Sequence, residues 1–132
     1  MTYSGHPVAS AAALANIALM ERDQIPQRVR LTGKRFENNL RGLESLDLVG
    51  EVRGSHFMMG IEFVKDKEKK TPFEPEDQIG LKVSRSAQNR GLIARPLGNI
   101  LILSPTLIMT EEQIDRTSDI LRESIIEVQT AS

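Results

Sequence analysis

The sequence contains no cysteine and no tryptophan, and aromatic residues make up only 4% of its 132 residues. The absence of cysteine excludes a disulfide scaffold, a thiol nucleophile and a thiolate metal site. Because His6 and His56 are its only imidazoles, no metal site is expected either. No segment approaches the ~20 apolar residues of a membrane span, and the N-terminus lacks a basic region followed by an apolar one. We therefore expect a cytoplasmic domain with no membrane partner.

An excess of charge of one sign is also missing. Lys and Arg number 17 against 18 for Asp and Glu, so the formal net charge is −1. A protein that binds nucleic acid or an anionic membrane normally has a basic excess, and neither partner is expected here. The length fits one domain with its own core and is too short for two full domains.

A first helix is predicted from Pro7 to about Arg22, because proline suits the first position of a helix, where its missing N–H has no partner. Residues 8–20 of this helix are apolar almost all round. Such a helix is normally buried on most of its circumference, and a small domain has too little surface to bury it alone. We therefore expect this helix to need a partner surface.

Three amphipathic helices and a short strand region are predicted downstream. One helix begins near Pro26, another runs from about Glu76 to Arg90, and the last opens with a capping-box pattern at Thr110 and Gln113. Strands are predicted over 48–55 and 56–64, with His56 in the second strand, and over 92–95 and 100–103 as a hairpin around a turn at 96–99. The assembled pattern predicts an α+β fold, with helices packed on one side of a short, mainly antiparallel sheet.

No self-contained catalytic set is visible, but two positions are candidates for binding. Hydroxyls and a glycine in residues 2–5 directly precede the first helix, whose N-terminus could hold a phosphate or could simply be capped there. Arg95 ends an apolar run, where its planar guanidinium suits a carboxylate. From the residues alone, an ordinary helix cap and an ordinary surface arginine are the favoured interpretations.

An ordered series of blocks resembles the class III aminotransferases, the fold-type I pyridoxal phosphate (PLP) enzymes that include the ω-transaminases. The blocks keep the family's order and approximate spacing over nearly the whole chain. Each block is weak alone, but the ordered series is specific. They are residues 2–9 before the alanine-rich helix, 52–54 with 59–62, 91–95, 103–105 with 107–108, and 110–115.

The resemblance implies that this chain is the C-terminal part of such an enzyme. Residues 1–22 would be a helix connecting from a large PLP domain, and residues 23–132 the small C-terminal domain. In the family, the lysine that holds PLP covalently and the aspartate that pairs with its pyridine nitrogen both precede the segment that matches residues 2–7. The chain is therefore expected to contain no catalytic residue, to bind no PLP by itself and to be inactive alone.

Two site residues follow from the resemblance. Thr2 matches the threonine that binds the PLP phosphate of the other subunit, which implies a homodimer. Arg95 matches the mobile arginine that binds the carboxylate of an amino or keto acid and moves aside for a hydrophobic amine. The substrates implied are an amine or amino acid and a keto acid such as pyruvate. The sequence departs from the family pattern at residues 55–57 and at Thr106, which leaves the substrate open.

A second hypothesis is a free-standing, non-catalytic interaction or regulatory domain that kept this fold. A contiguous large domain in the upstream reading frame would support the transaminase, and a stop codon directly before Met1 would support the regulatory domain.

Overall fold

The structure is a computed structural model that describes residues 4–131 of the chain. Within that range the chain forms four α-helices, five strands and two short 3-10 helices at Gly42–Ser45 and Pro75–Asp77. The helices and strands are α1 (Pro7–Arg22), α2 (Ile25–Arg41), β1 (Val49–Ser55), β2 (Met58–Asp66), β3 (Thr71–Pro72), α3 (Ile79–Asn89), β4 (Arg95–Leu97), β5 (Ile100–Leu103) and α4 (Glu111–Ala131).

The strands form one antiparallel sheet in the order β1-β2-β5-β4, and β3 pairs with the far end of β2. Strand β4 therefore lies at an edge. Along β2, Met59, Ile61 and Phe63 are buried while Gly60 and Glu62 are half-exposed. This alternation puts the core on one face of the sheet, where α2, α3 and α4 contribute buried apolar side chains to the same cluster. The predicted α+β fold is confirmed.

Helix α1 stands apart from this core. It occupies the predicted residues, and the side chain of His6 caps it by accepting a hydrogen bond from the N–H of Ala9 (3.4 Å). None of its residues is buried, and Val8 and Leu14 are 71% and 68% exposed. The prediction that this domain cannot bury the apolar first helix by itself is therefore confirmed.

The position of His56 differs from its prediction. It lies outside both strands, in the tight turn where Ser55 pairs with Met58, and its φ is +51°. The N–H of His56 donates to the Glu37 carboxylate on α2 (3.3 Å). This hydrogen bond to α2 stabilises a left-handed backbone that few residues other than glycine adopt. The prediction of a strand at His56 was wrong because it relied on hydrophobic alternation, which carries no information about a contact with a distant helix.

The hairpin and the start of α3 also differ from their predictions. Strand β4 begins only at Arg95, because residues 90–92 close α3: the N–H of Gly91 donates to Gln88 and that of Leu92 to Ala87. This is the Schellman pattern, with Gly91 at φ +91°. At the other end, a separate 3-10 helix takes up Pro75–Asp77, so α3 begins at Ile79 and not near Glu76.

Candidate functional site

The edge strand β4 brings Arg95 to the surface. Arg95 is the first residue of β4 and pairs with Ile102 of β5, while the preceding Ala94 is buried. Ala94 is fixed from α3, because its carbonyl accepts a hydrogen bond from the buried Ser84 hydroxyl (2.8 Å). The backbone that carries Arg95 is thus held on both sides, and its side chain is exposed.

Arg95 lines a cleft of about 340 Å³ at this edge. Phe36 of α2, Leu103 of β5 and Met109 form buried apolar parts of its wall. The loop from β5 to α4 contributes Ser104 and Pro105. The cleft therefore combines one cationic group with an apolar wall, which suits a small organic acid.

The Arg95 guanidinium has no hydrogen-bond or ion-pair partner among residues 4–131. Three other arginines of the domain, in contrast, have carboxylate partners. Donation of a hydrogen bond to Asp115 raises the pKa of Arg35, donation to Glu62 raises that of Arg53, and donation to Glu127 raises that of Arg90. The donors of Arg95 are consequently available to a ligand, and a planar fork of N–H groups matches a carboxylate.

The lysines of the chain do not fit covalent attachment of a cofactor. A lysine that reacts with a carbonyl at neutral pH needs a desolvated site that lowers its pKa. All six lysines are exposed: Lys34, Lys65, Lys67, Lys69, Lys70 and Lys82.

Within the described residues, no group of three His, Asp or Glu side chains could hold a metal ion. No helix in residues 4–131 is long and apolar enough to cross a membrane.

The second predicted site residue, Thr2, lies outside the described residues. The structure therefore places Arg95 in a cleft and does not relate Thr2 to it. Sequence reasoning missed the other parts of the cleft wall. Neither Phe36 nor Met109 nor Thr117, all of which line the cleft, was identified as a site residue. Hydrophobic spacing identifies a buried residue but not the cavity that it borders.

Comparisons with known proteins identify the fold family. The profile described as "Aminotransferase class-III" matches residues 1–125. The chain belongs to the class-III aminotransferase family. The resemblance of its ordered sequence blocks is thereby confirmed.

Individual class-III aminotransferases are similar over almost the whole chain. An adenosylmethionine-8-amino-7-oxononanoate aminotransferase of Methanocaldococcus jannaschii is 40% identical over 96% of this chain and 27% of its own length. A structure titled "Transaminase with L-ala" superposes with a TM-score of 0.92 at 39% identity, covering 97% of this chain and 30% of that one.

A structure titled "PMP-bound form of Aminotransferase crystal structure from Vibrio fluvialis" gives a TM-score of 0.93 at 37% identity, covering 98% of this chain and 29% of that one. The chain thus spans about 30% or less of the length of these relatives.

Proposed function

We propose that this chain is the C-terminal part of a PLP-dependent class-III aminotransferase, and that its contribution is recognition of the substrate carboxylate. Residues 1–22 would connect from a large domain, and residues 23–132 would form the small domain. The whole enzyme would move an amino group between an amine or amino acid and a keto acid such as pyruvate, in the cytoplasm. The observation that carries this proposal is the unpaired guanidinium of Arg95 at the wall of a partly apolar cleft.

Bound PLP would supply the electron-withdrawing chemistry of the reaction, and the residues of this chain would bind and orient the substrate. Two parallel N–H donors of Arg95 would hold the carboxylate, while the apolar wall at Phe36 and Met109 excludes water from the rest of the molecule. Hydrogen bonds to charged groups contribute about 1.5–3 kcal/mol, which is roughly a tenfold to hundredfold change in binding.

The remainder of the aminotransferase chain is the partner that α1 requires. This helix exposes Val8, Leu14 and Ile17 to solvent, and burying such side chains stabilises an interface by about 1.5–3 kcal/mol each. The relatives have roughly 70% of their length outside the segment that matches this chain, which supports a large domain of the same polypeptide as the proposed occupant of this surface. A second subunit would complete the homodimer.

Thr2 would contribute to the phosphate cradle of the partner subunit's PLP. Replacing Thr2 with Ala should weaken retention of PLP by the whole enzyme, and Thr2→Ser should preserve it because the hydroxyl remains. Unchanged cofactor affinity in Thr2→Ala would remove Thr2 from the phosphate cradle.

Arg95 is tested by replacing it with Ala in the whole enzyme and measuring KM for a keto acid and for an arylalkyl amine. The KM for the keto acid should rise about tenfold or more, because the carboxylate loses its charged partner, and the KM for the amine should change little. Arg85→Ala is the matched control, since Arg85 is another exposed arginine with no partner in residues 4–131. Equal effects of Arg95→Ala on both substrates would remove Arg95 from carboxylate binding.

The proposed inactivity of the chain alone is tested by adding PLP and then a reducing agent that traps covalent amine adducts. Because every lysine is exposed, we expect no stoichiometric adduct at one position. An adduct at a single lysine together with turnover would contradict the proposal.

A further inference from the structure

Arg28 makes a contact that links helix α2 to the loop between β5 and α4. Its Nη2 donates to the carbonyl of Ile108 (3.1 Å) and to that of Met109 (3.3 Å), about 80 residues along the chain. Arg28 is half-buried and forms no ion pair with a carboxylate among residues 4–131. The guanidinium of Arg28 thus donates to two consecutive backbone carbonyls, which orients that stretch of loop.

The same loop is part of the wall of the Arg95 cleft. Ser104, Pro105 and Met109 line it, and Met109 is 9% exposed. Within the loop, the N–H of Met109 donates to the carbonyl of Thr106 (3.2 Å). The backbone of Met109 thus has one hydrogen bond to its own loop, through its N–H, and one to Arg28 of α2, through its carbonyl. Removing the Arg28 contact would leave the carbonyls of Ile108 and Met109 without their hydrogen bonds to the helix.

We propose that Arg28 is a positioning residue for the Arg95 cleft: by holding the carbonyls of Ile108 and Met109, it sets the distance between the loop wall and the guanidinium of Arg95. This inference rests on the proposed function, because it assumes that a carboxylate binds at Arg95. The ligand is a small organic acid whose apolar part contacts Met109 while its carboxylate meets Arg95.

A matched pair of variants separates this role from a general charge effect. Arg28→Ala removes the contact, and Arg30→Ala removes the same charge from the same helix at an exposed arginine with no partner in the described part of the chain. Arg28→Lys keeps the charge but replaces the planar fork with a single ammonium group. The probe is pyruvate, titrated into the whole enzyme while the NMR resonance of the Arg95 Nε–H group is followed.

We expect Arg28→Ala to require about fivefold or more pyruvate for the same Arg95 shift, because small displacements of a binding group cost large factors in affinity. Arg30→Ala should titrate like the parent chain, and Arg28→Lys should fall between the parent and Arg28→Ala. Hydrogen exchange of the Met109 amide should accelerate in Arg28→Ala and not in Arg30→Ala.

The two proposals fail in different ways. If the parent chain responds to pyruvate and both Arg28 variants titrate identically to it, the positioning role is overturned and the proposed function stands. If the Arg95 resonance of the parent does not respond to pyruvate, carboxylate recognition at Arg95 is overturned. Should Arg28→Ala unfold, Arg28→Lys decides the question: an unchanged titration overturns the inference, and a weakened one at an unchanged thermal midpoint supports it.

Discussion

Replacing Gly33 with Ala tests whether the turn at His56 is packed against α2 as the structure shows. In an isolated helix this change is favourable by about 1 kcal/mol, because glycine is a poor helix former. Here an added Cβ on residue 33 would lie 2.7 Å from Cβ and 3.2 Å from Cα of His56. We therefore expect Gly33→Ala to destabilise the domain, opposite to the prediction from helix propensity.

The magnitude follows from what would have to move. The His56 turn is held by its N–H bond to Glu37 and by the donation of Arg41 to the carbonyl of Gly54 (3.4 Å), so it has little freedom to retreat. Overpacking a close contact costs about 1–3 kcal/mol, and the upper half of that range applies to a restrained backbone. After subtraction of the helix-propensity gain, the net loss in free energy of unfolding is about 1–2 kcal/mol.

The assay is urea unfolding of the 132-residue chain, followed by circular dichroism. With a slope of about 2 kcal/mol per molar urea, the midpoint of Gly33→Ala should fall by roughly 0.5–1 M. Gly42→Ala is the matched control, because Gly42 has an ordinary helical φ of −60° and an added Cβ there would meet only Arg122, at 3.7 Å. Its midpoint should stay or rise. A rise in the Gly33→Ala midpoint like that of the control would refute the reasoning.

A double variant locates the cause. His56→Gly removes the Cβ that collides with residue 33 and supplies a residue that suits a φ of +51°. In the His56→Gly background, Gly33→Ala should lose most of its cost. An undiminished cost would mean that the contact lies elsewhere.

Two further predictions concern stability. The N–H of His56 and the guanidinium of Arg41 lower the pKa of Glu37 from 4.5 to about 2. Because the pKa is lower in the folded state, the ionised Glu37 stabilises the fold above pH 4.5, and this stabilisation is lost as the pH falls towards about 2. The urea midpoint of Glu37→Gln should therefore depend less on pH over that window than the midpoint of the parent chain, and identical acid profiles would contradict this. At the start of α4, the N–H of Gln113 donates to the Thr110 hydroxyl (3.2 Å) and the N–H of Thr110 donates to the Gln113 side chain (3.0 Å). Thr110→Ala should therefore lower the free energy of unfolding by about 1 kcal/mol, and Thr110→Ser should restore most of it. A urea midpoint unchanged by Thr110→Ala would argue against this cap.

The helices were the most predictable part of this fold, because their signals are local. Pro7 and the capping pair at Thr110 mark helix starts by backbone chemistry that acts within one turn. Gly91 likewise marks the end of α3 through two bonds within six residues. These signals need no tertiary information, and the structure agrees with each of them.

The strand boundaries and the cleft depend on contacts that the sequence does not encode locally. Pro96 looked like a turn residue but lies inside β4, because Leu97 pairs with Ile100 across a turn at Gly98 and Asn99. Arg28 and Arg30 are indistinguishable as polar residues of one amphipathic helix. Only the return of the chain about 80 residues later gives Arg28 its contacts.

The proline in β4 affects the tendency of the protein to aggregate at high concentration. An exposed edge strand can form hydrogen bonds with the edge strand of another molecule, and this pairing can start a polymer. Pro96 lacks one of the N–H donors that such pairing would use, and β4 is only three residues long. The edge strand that carries Arg95 can therefore stay uncovered by protein without serving as a template for fibrils.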